Sequence, residues 1–127
     1  MDRCSLSESS ASASADVLAK AGFVAINTIH CQDHYRERFE CLFCSRVRAI
    51  DEMDGFLAMQ VLKPAKPEEA YLVVSYWDSE DQFNAWVGSP AFHEGHKRAF
   101  EDLRRAKEEG REPPMKSDFR TYSVLAR

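Results

Sequence analysis

The residues with the clearest chemical potential in this 127-residue chain lie in the run that ends at His96. Imidazole titrates near neutral pH and is the side chain that most often binds metals. Ser89 is a preferred helix N-cap residue and Pro90 suits the first helical position, so the sequence predicts a helix that begins here. Its apolar and small residues recur at the i, i+3, i+4 and i+7 spacing of a buried face. This predicted face comprises Phe92, Gly95, His96, Ala99, Phe100 and Leu103.

On this pattern His96 is predicted to point into the protein, whereas His93 falls on the opposite, charged side of the helix. Gly95 leaves space next to His96 that a side chain would otherwise fill. An imidazole in an apolar slot with free space beside it can ligate a flat, apolar cofactor. A core histidine that hydrogen-bonds a backbone carbonyl explains the same pattern, and the residues alone leave both interpretations open.

Two further residues have side chains that could serve a ligand. Asn27 falls in the middle of a β-prone segment, on the same face as Phe23. A buried amide must find partners for its donors and its acceptor, so Asn27 either fixes a neighbouring backbone group or faces a ligand. Trp86 precedes the helix of His96, where it either packs in the core or lines a site.

Periodicity and turn signals predict the elements that position these residues. Helices are predicted over about 33–50, 79–86 and 90–109, the second opened by a capping box and the third ended by Gly110. Four apolar, β-prone segments are the predicted strands: Phe23–His30, Phe56–Leu62, Tyr71–Trp77 and Phe119–Leu125. The order β-α-β-β-α-α-β matches the ferredoxin-like α+β arrangement.

The second and third predicted strands have apolar residues on both faces, where a half-exposed sheet would alternate. The helices of one small domain can cover only one face of the sheet. The other face needs a partner, and a second copy of the chain is the simplest one. We therefore expect a homodimer joined sheet to sheet.

Composition limits the class of protein. The net charge of −4 with mixed signs and no basic stripe argues against a nucleic-acid partner. Apolar runs fall short of the ~20 residues that span a bilayer, so no membrane span is expected. The length fits one domain. Residues 1–19, rich in Ser and Ala, are predicted to be a disordered extension, and 20–127 the folded domain.

The cysteines and the extension bear on the compartment. Cys41 and Cys44 form a C-x-x-C pair inside a helical pattern with no second pair, which favours small apolar side chains over a metal or redox site. A reducing compartment such as the cytoplasm is the simplest expectation. The Ser-rich extension could be a transit-peptide remnant, which keeps the plastid stroma open, although its acids outnumber its one arginine.

Three segments together carry a family resemblance: Phe23-Val-Ala-Ile-Asn27, Val74-Ser-Tyr-Trp-Asp-Ser-Glu80 and the pair Trp86-x9-His96. They resemble the antibiotic-biosynthesis-monooxygenase (ABM) superfamily, and within it the haem-degrading monooxygenases of the IsdG type. The resemblance covers roughly residues 22–125. The tryptophan-to-histidine spacing also occurs in members of the superfamily without haem activity, so Asn27 at its strand position adds the specificity.

The resemblance implies a dimeric α+β barrel with one haem per subunit, where haem is both cofactor and substrate. It implies that His96 is the axial ligand of the iron, that Asn27 donates a hydrogen bond to the iron-bound oxygen, and that Trp86 buckles the macrocycle. Dioxygen and an external electron donor would be consumed, and iron and an opened tetrapyrrole released. The haem-binding residues would also include Phe23, Phe92 and Phe100.

Two alternatives remain open from the sequence. A cofactor-free quinol monooxygenase of the same fold would use an aromatic cavity with polar anchors, which Asn27, Trp86 and His96 could also provide. A non-catalytic haem-binding dimer would need the same His96 and the same pocket.

Overall fold

The computed structural model describes residues 14–46 and 48–127. Residues 1–13, which include most of the predicted disordered extension, lie outside this part of the chain, as does Val47. The helices are α1 (Ser14–Lys20), α2 (Arg36–Cys44), α3 (Glu80–Val87) and α4 (Pro90–Glu108). The strands are β1 (Phe23–Cys31), β2 (Phe56–Leu62), β3 (Tyr71–Trp77) and β4 (Met115–Ser123).

The four strands form one antiparallel sheet in the order β2-β3-β1-β4. This confirms the ferredoxin-like α+β prediction, since the first and third strands are neighbours in the middle of the sheet. Along β1 the alternate residues Phe23, Ala25 and Ile29 are buried. The helices cover that face, so Asn27, which shares it, is directed toward them.

Several predicted boundaries were wrong. Helix α2 ends at Cys44 instead of Ile50, which lies in a separate 3-10 turn (Ala49–Glu52). The guanidinium of Arg98 from α4 explains the early end, because it donates hydrogen bonds to the carbonyl oxygens of Leu42 and Ser45 at 3.0 and 2.8 Å. These bonds satisfy carbonyls at the end of the helix in place of a further turn.

Strand β4 begins at Met115 and ends at Ser123, whereas Phe119–Leu125 was predicted. Its first residues are mostly polar and exposed, so they carry no apolar signal, yet they pair with β1 as far as Cys31 opposite Met115. At the other end of the chain, helix α1 (Ser14–Lys20) includes residues 14–19 of the extension that we predicted to be disordered. Ala21, directly after it, is buried.

Two clusters of buried residues hold the sheet and helices together. One surrounds Trp77 and includes Phe23, Phe83 and Trp86. The other lies at the opposite end of the sheet and includes Phe39 of α2, together with residues of β1 and β3. In the described part of the chain, no helix is long and apolar enough to cross a bilayer.

A hydrogen-bonded network joins α2 to α4 across the second cluster. Asp102 accepts from the Tyr35 hydroxyl at 2.6 Å and from the Arg38 Nε at 2.9 Å. Burial acts to raise the pKa of Asp102, but the hydrogen bonds from Arg38 and Tyr35 outweigh it and hold that pKa below its usual value. The ionised carboxylate therefore contributes to folding stability.

We expect Asp102→Asn to lower the free energy of unfolding at pH 7 by about 2 kcal/mol, because bonds to a charged acceptor are replaced by bonds to a neutral one. Since the folded-state pKa of Asp102 is lowered, its contribution is present above the unfolded value of about 3.9 and is lost as pH falls below it. Urea titrations at pH 7 and pH 3 measure both effects. Asp118→Asn, at an exposed ion pair, is the control, and an equal loss there would contradict the role of Asp102.

Candidate functional site

An apolar cavity of about 430 Å³ lies between the sheet and the helices. This volume falls within the roughly 300–1,000 Å³ of small-molecule sites. The sheet contributes residues of all four strands, and α4 forms the opposite wall with about two residues per helical turn. The α4 residues that line it are Phe92, Gly95, His96, Arg98, Ala99, Phe100 and Leu103. The predicted inward face of this helix therefore lines a cavity and is not packed solid.

His96 is held in this wall by a hydrogen bond and by two rings. Its Nδ1 lies 2.7 Å from the carbonyl oxygen of Phe92. A carbonyl can only accept, so Nδ1 carries the proton and Nε2 keeps its lone pair. Among the described residues Nε2 has no hydrogen-bond partner. An imidazole whose Nδ1–H is bonded to a backbone carbonyl and whose Nε2 is free is the arrangement used for metal ligation.

The plane of the His96 ring is fixed by stacking. The Phe92 ring lies on one side at a centroid distance of 4.2 Å and an interplanar angle of 30°. Phe100, one helical turn further on, stacks at 5.4 Å and 19°. Both phenylalanines line the cavity, and they also orient the imidazole. The exposed His93 faces away from the cavity, in agreement with the sequence pattern.

Trp86 and Asn27 line the same cavity as His96. Trp86 is 5% exposed and belongs to the core cluster around Trp77, so it both packs and lines the site. The side-chain oxygen of Asn27 is buried and has no hydrogen-bond partner among the described residues. Leaving a buried amide oxygen unpaired costs about 1–3 kcal/mol, so this atom indicates a site for a ligand or an ordered water.

Phe23 is not among the described residues that line the cavity. It is 5% exposed and packs against Phe83 at a centroid distance of 5.5 Å. The prediction of Phe23 as a haem contact is therefore not supported by its position, although it lies on the same face of β1 as Asn27. Because β1 is long, its first residues lie beyond the end of the cavity, where α3 covers the sheet.

Four polar residues of the cavity were not predicted from the sequence: Arg46, Ser75, Arg98 and Ser117. Arg98 is not part of the predicted inward face of α4, but the end of α2 lies beside it and accepts hydrogen bonds from its guanidinium. Ser75 could have been found, because it interrupts an apolar strand in the same way as Asn27 does. Within residues 14–46 and 48–127, no group of three or more His, Cys, Asp or Glu side chains could hold a metal ion.

Gly95 provides a test of the space beside His96. A Cβ built there would lie 3.5 Å from the nearest ring carbon of Trp86 and 3.9 Å from the Ala49 Cβ, which is ordinary contact. Glycine in a helix interior costs about 1 kcal/mol relative to alanine. We therefore expect Gly95→Ala to raise the free energy of unfolding by about 1 kcal/mol in thermal or urea denaturation. A loss of stability would show that the cavity wall tolerates no extra methyl group.

The family model described as antibiotic biosynthesis monooxygenase matches residues 22–98. A protein of Mycobacterium tuberculosis named heme oxygenase (mycobilin-producing) is 40% identical over 76 residues, which cover 58% of this chain and 72% of that protein.

Solved structures extend the likeness beyond this segment. The heme-degrader MhuD from M. tuberculosis, with two hemes bound in its active site, superposes with a TM-score of 0.60 at 29% identity, over 83% of this chain and 97% of that one. SnoaB, a cofactor-independent oxygenase from Streptomyces nogalater, has a TM-score of 0.63 at 15% identity, covering 84% of this chain and 96% of its own, and so shares the fold alone. The chain belongs to the antibiotic biosynthesis monooxygenase family.

Proposed function

We propose that this protein is a haem-degrading monooxygenase, which binds haem as its substrate and opens the tetrapyrrole with dioxygen and an external reductant, releasing iron. The observation that carries the proposal is His96, whose Nδ1 is bonded to the Phe92 carbonyl while Nε2 stays available in the cavity wall. The activity named for the mycobacterial relative, which is 40% identical, supports the same reaction.

The residues present fit a metalloporphyrin. The cavity lining is mainly aliphatic and aromatic, which suits the faces of a macrocycle. His96 supplies a neutral imidazole, the usual protein ligand of haem iron. Asn27 Oδ1, which has no hydrogen-bond partner among the described residues, is a polar group on the opposite wall, formed by the sheet, and supports a ligand there. Bound haem supplies the iron at which dioxygen is activated.

Each lining residue then has a defined role. His96 holds the substrate through Nε2, in the orientation set by the rings of Phe92 and Phe100. Asn27 presents its side-chain amide across the cavity, where its N–H group stabilises negative charge that develops on oxygen. Trp86 is fixed in the core on one side and faces the cavity on the other, so it can press on the macrocycle without moving.

We further propose that the protein acts as a homodimer joined through the outer face of the sheet. That face carries Val24 and Ile26 of β1 and Leu72 and Tyr76 of β3, all partly exposed in the single chain. Leu62 at the edge of the face is 43% exposed. A second copy would bury these side chains and remove the cost of exposing them. Sedimentation equilibrium of the wild-type protein measures the stoichiometry, and a monomer would refute this part.

Titration with hemin tests the proposed substrate. We expect a sharpened and shifted Soret band that saturates at one haem per subunit. A cofactor-free quinol monooxygenase would give no saturable change, and this result would overturn the proposal. A haem-binding protein without catalysis would saturate in the same way, but its Soret band would persist when ascorbate is added in air.

A further inference from the structure

Ser75 of β3 is a buried polar residue on the sheet side of the cavity. It is 8% exposed, and its hydroxyl oxygen accepts a hydrogen bond from Trp77 Nε1 at 2.9 Å. The indole N–H can only donate and Trp77 is fully buried, so the Ser75 oxygen is held as an acceptor. Its own hydrogen is therefore free to be donated to another group, on the side of the cavity that Ser75 lines.

The unpaired oxygen of Asn27 is the complementary group. In the sheet Asn27 is opposite Val73 and Ala25 is opposite Ser75, so Asn27 and Ser75 are diagonal neighbours on the same face. Such neighbours have Cα atoms roughly 7–8 Å apart, and side chains on one face can approach each other more closely. No direct hydrogen bond joins the two side chains. One ordered water can bridge a donor and an acceptor at this separation.

We infer that Ser75 is a positioning residue for Asn27: the Ser75 hydroxyl, held by Trp77, donates a hydrogen bond to one ordered water, and this water donates one to Asn27 Oδ1. These two hydrogen bonds fix which way the amide faces. With its oxygen held against the sheet, Asn27 directs its N–H group toward the ligand in the cavity. The orientation of the amide is independent of the proposed function, whereas its catalytic consequence depends on haem being the substrate.

Ser117 of β4 is the competing donor. It lines the cavity and is diagonal to Asn27 on the other side, since Asn27 is opposite Phe119. Ser117 is exposed, so solvent satisfies its hydroxyl, and no described group fixes the direction in which it donates. Ser75 is buried and held by Trp77, so the structure favours Ser75.

Nuclear magnetic resonance of the ligand-free protein tests the orientation directly. The two Asn27 side-chain amide protons are assigned by their loss in Asn27→Ala. In Ser75→Ala we expect these signals to shift and their exchange with solvent to accelerate about tenfold, the effect of losing one neutral hydrogen bond. Tyr76→Phe is the matched control, because it removes a hydroxyl from the adjacent residue on the opposite face. Unchanged signals in Ser75→Ala, or a larger change in Ser117→Ala, would overturn the inference.

A double-mutant cycle tests the consequence for the reaction. We expect Ser75→Ala to keep the hemin Kd within about twofold and to slow ring opening about tenfold. In the Asn27→Ala background the same substitution should have no further effect, because Ser75 acts through Asn27. Additive effects would overturn the inference.

Ser75→Cys, which keeps the size of the side chain but is a poor hydrogen-bond donor, replaces Ser75→Ala if that variant does not fold. Failure of the wild-type protein to bind hemin would refute the proposed function while the ligand-free spectra still decide the role of Ser75.

Discussion

Replacement of His96 by alanine should weaken hemin binding by roughly 100-fold or more and abolish the saturable Soret change. Loss of a residue that merely supports a metal ligand already costs about 10–100-fold in affinity, so loss of the ligand itself should cost at least as much. Of the residues that the structure describes, His96 is the imidazole that lines the cavity with Nε2 available, and its loss leaves Phe92 and Phe100 to line the site. Titration followed by absorbance and by quenching of tryptophan fluorescence measures the affinity.

His93→Ala is the matched control for this experiment. His93 is on the same helix, three residues earlier, and is exposed on the face away from the cavity. We expect its variant to bind hemin with the wild-type Kd. Circular dichroism must show that both variants are folded. If His93→Ala lost binding and His96→Ala retained it, the assignment of the iron ligand would be wrong.

Replacement of Asn27 by alanine should have the second largest effect, and it should act on the reaction instead of on binding. Removal of one preorganised donor that stabilises a developing negative charge costs about 10²–10³ in rate. We expect ring opening to slow by about that factor while the hemin Kd changes less than about threefold. Single-turnover loss of the Soret band under ascorbate in air gives the rate.

The stability of the Asn27 variant separates this role from a structural one. Because the Asn27 oxygen has no partner among the described residues, its removal breaks no direct protein hydrogen bond. The free energy of unfolding should therefore change by less than about 1 kcal/mol. Asn84→Ala, at an exposed amide on α3, should change neither rate nor stability. A large loss of stability with unchanged turnover would make Asn27 a structural residue.

The middle of the fold could be predicted from the sequence because its signals are local. Strands β2 and β3 have the predicted bounds, and their apolar runs end in clear turn residues. The N-caps Ser79 and Ser89 accept the expected backbone hydrogen bonds. These elements are specified by residues next to one another in the chain, so no knowledge of tertiary contacts is needed.

The wrong predictions concern features that depend on contacts between residues far apart in the sequence. Helix α2 stops at Cys44 because Arg98, more than fifty residues away, takes its last carbonyls. Strand β4 begins before its predicted first residue because β1 pairs along its whole length with β4, including the polar residues at the start of β4. The inward direction of His96 followed from helical periodicity, whereas the free space in front of it depends on how α4 lies over the sheet. Phe23 lies on the same face of β1 as Asn27, but it is beyond the end of the cavity that Asn27 lines.

The central claim is that haem bound in this cavity is turned over. Its most direct test starts from the wild-type protein loaded with one equivalent of hemin and treated with ascorbate in air in the presence of catalase. The Soret absorbance is followed over time, and a ferrous-iron chelator measures the iron released. We expect the Soret band to disappear and about one iron per haem to reach the chelator. A Soret band that persists while iron stays bound would contradict the account and leave a haem-binding protein without oxygenase activity.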